Sequence, residues 1–162
     1  MLRLLCLIAS RTKLQPGKEI LILRLRRLFK LLKVDHIGIA TNSIEEGLAV
    51  WRDVLGLKVD ATQEVTEQGV KVCMLAVGDT HVELLEPLTP ETPVGKFLAK
   101  RGPGMHHIAV EVADIHASLA ELKNKGLRLI DEKPRVGAGG CLVAFVHPSS
   151  ANGVLLELVQ QQ

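Results

Sequence analysis

The sequence predicts an α+β fold in which two tandem βαβββ modules share one curved mixed sheet around a cleft. Three observations predict it. Val34-Asp35-His36-Ile37-Gly38-Ile39-Ala40 reads against Met105-His106-His107-Ile108-Ala109-Val110-Glu111 at an offset of 71 residues. Further on, His81-Val82-Glu83-Leu84-Leu85 reads against Leu155-Leu156-Glu157-Leu158-Val159 at an offset of 74. Between these strings each copy carries the same order of helical and alternating patterns. A chance match does not hold register through a strand, a helix cap and a helix face, so the chain is a duplication.

The elements follow in order. Residues 34–40 form a first strand, and Ser43-x-x-Glu46 is a capping box that opens a helix over residues 44–55. Its apolar positions Ile44, Leu48, Trp51 and Leu55 keep the spacing of one helical face. Gly56 suits the left-handed turn that ends it. A strand over 57–65, a turn at Gln68-Gly69, a strand over 70–77, a hairpin turn at Gly78-Asp79 and a strand over 80–86 complete module one, residues 34–90. A Pro-rich connector, residues 87–93, leads to a short helix over 94–100, which Arg101-Gly102-Pro103-Gly104 breaks.

Module two, residues 104–160, repeats the plan. Its elements are a strand over 105–112, a helix over 115–125 capped by Asp114, and a strand near 127–131. A Gly-rich loop, Gly137-Ala138-Gly139-Gly140, follows, then strands over 141–147 and 153–159. Ile44, Leu48 and Trp51 align with Ile115, Leu119 and Leu122 at the same offset of 71.

Each copy supplies one histidine and one glutamate on apolar strands. His36 pairs with His107 and Glu83 with Glu157, the ingredients of one metal site shared by the modules, which makes the cleft a metal-containing one. A lone strand histidine is more often a satisfied core residue than a ligand, and its twin reverses that reading for His36. Glu157 lies among Leu155, Leu156, Leu158 and Val159, where an inward carboxylate is costly unless paired or metal-bound. Imidazole plus carboxylate donors suit Co²⁺, Mn²⁺, Ni²⁺ or Zn²⁺. Strand alternation turns His106 away from His107, to a second-layer or core place. His81 shares the face of Glu83 as a remote substitute, His116 sits solvated in a helix's first turn, and His147 packs in a turn before Pro148.

Composition excludes several classes. At 162 residues the chain can bury a core without disulfides, and its three cysteines, Cys6, Cys73 and Cys141, point to inert thiols in a reducing compartment. No run of 18 uncharged apolar residues spans a membrane. The absence of tyrosine and the low aromatic content of 2% remove the usual stacking platforms for nucleic acid. The net charge of +2 conceals a split: nine of the 20 basic residues and one of the 18 acidic ones lie in residues 1–33. The remainder is formally −6, so residues 1–33 read as a basic N-terminal extension to a domain over 34–160. A bland extension, a basic amphipathic surface helix and an Arg-rich transit-type segment are the three readings of it. A cytoplasmic location is expected, or the mitochondrial matrix if the extension is a transit segment.

The strings carry a family resemblance. Asp35-His36-Ile37, Glu67-Gln68-Gly69-Val70, Glu83-Leu84-Leu85, Gly104-Met105-His106-His107-Ile108, Pro134-Arg135-Val136-Gly137-Ala138-Gly139-Gly140, His147-Pro148 and Gly153-Val154-Leu155-Leu156-Glu157-Leu158 resemble the vicinal oxygen chelate superfamily, the glyoxalase/bleomycin-resistance/dioxygenase fold. Within it, they resemble the methylmalonyl-CoA epimerases. The resemblance runs from about Val34 to Gln160. It implies a divalent metal and interconversion of (2R)- and (2S)-methylmalonyl-CoA, by α-proton abstraction and reprotonation of the enolate. An acyl-CoA substrate and a homodimer are expected, with no nucleic-acid partner.

The chemistry asks for a cation at the thioester oxygen, where charge develops, and a carboxylate at the α-carbon. Glu157 is the candidate for proton transfer. Some epimerases resembling this chain carry a second glutamate at the position of Val72, which puts a two-glutamate mechanism in doubt here. The Gly-rich loop either approaches the substrate's carboxylate or thioester or serves as a plain connection. Lys96, Lys100 and Arg101 are the basic candidates for the nucleotide. A lactoylglutathione lyase using the same ligands, and a non-catalytic binding protein of the same fold, are the alternatives.

Overall fold

Alternation along the strands sorts the apolar residues onto two faces of one sheet, and the two repeat helices cover only one of them. The structure, a computed structural model, describes residues 30–162. Its elements are β1 (Leu31–Ala40), α1 (Ile44–Trp51), β2 (Lys58–Val65), β3 (Val70–Val77), β4 (Thr80–Pro87), α2 (Pro93–Arg101), β5 (Gly104–Val112), α3 (Ile115–Asn124), β6 (Arg135–Val136), β7 (Leu142–Val146) and β8 (Leu156–Gln160). The strands form one mixed sheet in the order β2-β3-β4-β1-β5-β8-β7-β6. Module one supplies the first four and module two the last four. The two first strands, β1 and β5, pair antiparallel at the centre, and each pairs in parallel with the last strand of its own module, β4 or β8.

On the outer face α1 packs Ile44 and Leu48 onto Cys73, Leu75, Val82 and Leu84. Its counterpart α3 packs Ile115, Leu119 and Leu122 onto Val110, Val112, Ala144, Val146 and Leu158. A buried aliphatic chain contributes about 1.5–3 kcal/mol, so Ile44 and Leu48 fix α1 on the sheet, and Ile115, Leu119 and Leu122 fix α3. The inner, concave face carries Val65, Val70, Val72 and Leu85, closed at one side by Val94 of α2. It continues across module two as Ala109, Val143 and Val159. The cleft therefore opens on the face that α1 and α3 leave uncovered.

Both helix starts are fixed as the caps predict. Ser43 Oγ accepts from the Glu46 N–H at 3.2 Å, and Asp114 Oδ1 accepts from the Ala117 N–H at 2.9 Å. A second lock, invisible in the cap motifs, comes from the ends of the last strands. Glu86 Oε2 accepts from the Ile44 N–H at 2.6 Å, and its repeat counterpart Gln160 Oε1 accepts from the Ile115 N–H at 2.8 Å.

Several boundaries differ from expectation, each for a local reason. The first helix stops at Trp51 because the following bonds widen: Asp53 N–H reaches Leu48 O and Leu55 N–H reaches Val50 O. That rotates Leu55 into solvent and leaves Leu57 to pack instead. The segment 127–131 makes one isolated bridge, Leu129 to Val146, rather than a strand. There the Asp131 carboxylate, not a backbone carbonyl, accepts the Phe145 N–H, so the ladder lapses and resumes as the two residues of β6. The last strand begins at Leu156 instead of Gly153, because Asn152 and Gly153 hold positive φ in a turn. At the other end β1 starts at Leu31, and Lys33 Nζ lies 3.8 Å from Glu111 and bonds Asp79 O, so residues 31–33 belong to the sheet and not to the extension. Residues 1–29, which hold most of the basic segment, lie outside the described residues. No described helix is long and apolar enough to cross a membrane.

Candidate metal centre and acyl cleft

Four side chains meet on the concave face at the junction of the modules: His36 from β1, Glu83 from β4, His107 from β5 and Glu157 from β8. All four are buried, none more than 6% exposed. The two Nε2 atoms stand 3.0 Å apart. Glu157 Oε2 lies 2.9 Å from His107 Nε2 and 3.3 Å from His36 Nε2, and Glu83 Oε2 lies 3.6 Å and 3.4 Å from the same two atoms. The sheet brings them together by pairing: β1 runs beside both β4 and β5, and β5 beside β8, so equivalent positions of a duplicated strand pair converge.

Those spacings test whether the residues fit a cation. Donors held about 2.0–2.2 Å from one small ion stand roughly 2.8–3.6 Å from each other in octahedral or tetrahedral arrangement. The observed separations of 2.9 to 3.6 Å fall in that range. Two imidazoles and two carboxylates are also a donor set that such ions accept. The residues fit.

Backbone space at the site is arranged for the second histidine. Gly38 faces His107 across the β1–β5 pairing, and a Cβ built on it would run into the His107 ring at Cε1. Gly38→Ala should therefore displace the ring while leaving all four side chains of the cluster in the sequence. The expected result is a metal affinity at least tenfold weaker with a far-UV spectrum like the parent's, read by chelator competition and circular dichroism. An unchanged affinity would mean that the ring shifts freely.

The cluster's electrostatics separate its two carboxylates. Burial pushes the Glu83 carboxyl up. Burial acts on Glu157 in the same sense, but hydrogen bonds from His107 and His36 outweigh it and hold that carboxyl at about 2. His36 would lose its proton on burial alone, yet its bonds to Asp35 and Glu157 outweigh that and raise it to about 10.

His106 is a correction. Alternation places it on the face opposite His107, but β5 bulges there: Gly38 faces His107 and Ile39 faces Met105, which leaves His106 without a partner. The bulge swings its ring to the same side, where its Nδ1 lies 3.0 Å from His107 Nδ1, and it lines the cleft with Phe97 edge-on at 4.9 Å. Burial and the neighbouring His107 lower it to about 4. His81 lies opposite His36 in the β1–β4 register but is no part of the cluster: its Nε2 meets the Asp60 carboxylate at 3.0 Å. His116 is exposed and His147 bonds Ser149 in a turn, both as expected.

Val72 is buried in the cleft wall, so no ionisable group occupies that position. The Gly-rich loop is tied down rather than loose: the Gly139 N–H donates to Gln63 Oε1 at 3.0 Å, and Ala138 lines the cleft. Cys141 donates to Ala138 O and burial raises its thiol to about 11, while Cys73 is fully buried, so both are inert thiols. Sequence reasoning missed Arg135. Among the described residues it is the one cationic side chain lining the cleft, held 5.5 Å over the Phe145 ring and 3.5 Å from Asp131. Phe145 in turn sits edge-on against His107 at 5.7 Å. Lys96, Lys100 and Arg101 are exposed outside that lining.

Comparison with known proteins gives the family. The family model of the glyoxalase/bleomycin resistance protein/dioxygenase superfamily matches residues 35–145. The chain belongs to this superfamily. It is 38% identical over 134 residues to the mitochondrial methylmalonyl-CoA epimerase of Mus musculus, covering 82% of this chain and 75% of the relative. It is 39% identical over 130 residues to the ethylmalonyl-CoA/methylmalonyl-CoA epimerase of Cereibacter sphaeroides, covering 79% and 97%. Among solved structures, a variant of the Streptomyces coelicolor methylmalonyl-CoA epimerase in complex with 2-nitronate-propionyl-CoA superposes with a TM-score of 0.78 at 39% identity, covering 82% of this chain and 96% of that one. The family match reaches into both modules, from residue 35 in the first to residue 145 in the second.

Proposed function

We propose that the protein is a methylmalonyl-CoA epimerase, with His36, Glu83, His107 and Glu157 holding a divalent cation and Glu157 moving the α-proton. The observation that carries the reading is the junction of the modules. Two carboxylates and two imidazoles are packed there at ligand spacing, against a cleft lined mainly by apolar residues, in a chain nearly 40% identical to epimerases over both copies. Bound there, the cation would act as a Lewis acid on the thioester oxygen, where negative charge grows when the α-hydrogen leaves.

The chain's own residues supply the rest. Val72, Leu85, Val94 and Leu155 line the cleft and exclude water from the reacting carbon. Hydrogen bonds from the two histidines keep Glu157 ionised but also make it a weak base, so its place in the cleft lining, and not its pKa, supports it as the proton acceptor. With Val72 buried in the cleft wall, a second glutamate at that position has no support: Glu157 removes the proton from one face, and inversion requires a proton delivered to the other face of the enolate by a group other than Glu157.

Arg135 supports an anionic substrate. A guanidinium held over Phe145 beside the cluster suits a carboxylate or phosphate of an acyl-CoA, and such a charged hydrogen bond contributes about 1.5–3 kcal/mol. Arg135→Ala should accordingly raise KM for methylmalonyl-CoA roughly tenfold to a hundredfold with a smaller change in kcat. An unchanged KM in steady-state kinetics would remove Arg135 from substrate binding.

The decisive experiment for the reaction is a side-by-side assay of the metal-loaded protein with methylmalonyl-CoA and with the methylglyoxal–glutathione adduct. Turnover of the thioester alone is expected. Turnover of the adduct alone would make the protein a lactoylglutathione lyase, and binding of either without turnover would make it a binding protein of the same fold.

A further inference from the structure

The residue before each cluster histidine breaks the strand's alternation, and it does so twice at equivalent positions. In β1, Val34 faces Val110 and His36 faces Ala109, so Asp35 is the unpaired residue. In β5 the unpaired residue is His106, between His107 facing Gly38 and Met105 facing Ile39. Asp35 and His106 correspond at the repeat offset of 71. A bulge puts two successive residues of one strand opposite a single partner and re-aims a side chain that regular pleating would send to the other face. Here both re-aimed side chains end on the histidine that follows them. Asp35 Oδ2 lies 2.9 Å from His36 Nδ1, and His106 Nδ1 lies 3.0 Å from His107 Nδ1.

The two backing groups are not chemically alike. Asp35 is buried, and its second oxygen accepts from Gln161 Nε2 at 3.1 Å, so the carboxylate is held from both sides. It accepts hydrogen bonds only, so a proton sits on His36 Nδ1 and Nε2 is left as the atom turned to the cluster. His106 accepts as a neutral ring, and Phe97 holds it edge-on from the far side. A carboxylate behind an imidazole fixes the tautomer, orients the ring and makes its free nitrogen a better donor. A neutral acceptor does the first two and less of the third.

We infer that the paired bulges make Asp35 and His106 positioning residues for His36 and His107, and that Asp35, braced by Gln161, is the stronger of the two in setting how tightly a cation is held. This rests on the metal site proposed above. The duplication thus kept the geometry of the support while the two copies diverged in its charge.

The test compares Co²⁺ affinity, by chelator competition, for the wild type, D35N, D35L and H106F, with far-UV circular dichroism as a check on folding. D35L, which leaves no acceptor, should raise the Kd by about 10–100-fold. D35N retains a neutral oxygen acceptor and should fall between D35L and the wild type, and H106F should cost less than D35L. Independently of any variant, long-range ¹H–¹⁵N spectra of the Zn²⁺-loaded wild type should show His36 protonated at Nδ1. Folded D35L with a wild-type Kd, or His36 protonated at Nε2, would overturn the inference while leaving the metal site standing. Wild-type protein that binds neither Co²⁺ nor Zn²⁺ would instead overturn the metal reading itself. Should D35L fail to fold, Q161L takes its place, with a several-fold weaker Kd expected and an unchanged Kd counting against the brace.

Discussion

Replacing His107 by alanine is expected to remove bound metal and turnover together. Its ring is 4% exposed, its Nε2 lies 3.0 Å from His36 and 2.9 Å from Glu157, and Gly38 opposite keeps the space the ring fills. The substitution deletes one of four donors and one of the hydrogen bonds that hold Glu157 ionised. It also leaves a buried carboxylate short of a partner, which costs about 1–3 kcal/mol or more for a charged group. A domain of this size tolerates that loss, so the variant should fold while losing the site. Elemental analysis of the purified variant beside the wild type reads the metal, and the epimerisation assay reads turnover. A variant that kept one equivalent of metal and full activity would take His107 out of the ligand set.

What could be read from the sequence divides along physical lines. The duplication was legible because strands and helices carry it as periodic apolar positions, and Ile44, Leu48, Ile115, Leu119 and Leu122 all pack as their spacing requires. Convergence of His36, Glu83, His107 and Glu157 was legible for the same reason: equivalent positions on paired strands must meet if the strands pair about a pseudo-twofold axis. What failed was whatever depends on one extra residue. A bulge shifts alternation by a single position, and nothing in Met105-His106-His107-Ile108 distinguishes a bulged strand from a regular one. His106 was therefore placed on the wrong face, and Asp35 passed without notice.

Arg135 escaped for a different reason. Its strand is two residues long, and its direction is set by Asp131 and Phe145, contacts that no period in the chain encodes. The lapse of pairing over 127–131 has the same origin, because a side-chain acceptor replaced a backbone one at Phe145. The second locks on the helix starts, by Glu86 and Gln160, were hidden until the strand ends were seen beside them, although both sit three residues beyond a cluster glutamate.

Glu157→Gln is expected to separate holding the cation from moving the proton. Glutamine keeps an oxygen donor in the same place but cannot accept the α-hydrogen, so the variant should lose far more rate than metal. Removing a positioned general base costs typically 10²- to 10⁴-fold. The wild-type reaction passes through a planar enolate, and turnover in D₂O should place deuterium on the α-carbon of the product when the group that protonates the other face exchanges with solvent. That label is read by mass spectrometry or by loss of the α-proton signal. Product from wild type without solvent deuterium would mean that this group delivers its proton faster than it exchanges. Normal turnover by the glutamine variant would decide the matter against Glu157 as base: it would leave Glu157 as a ligand alone. Glu83, the other carboxylate lining the cleft and the one whose pKa burial raises, would then be the group to test next.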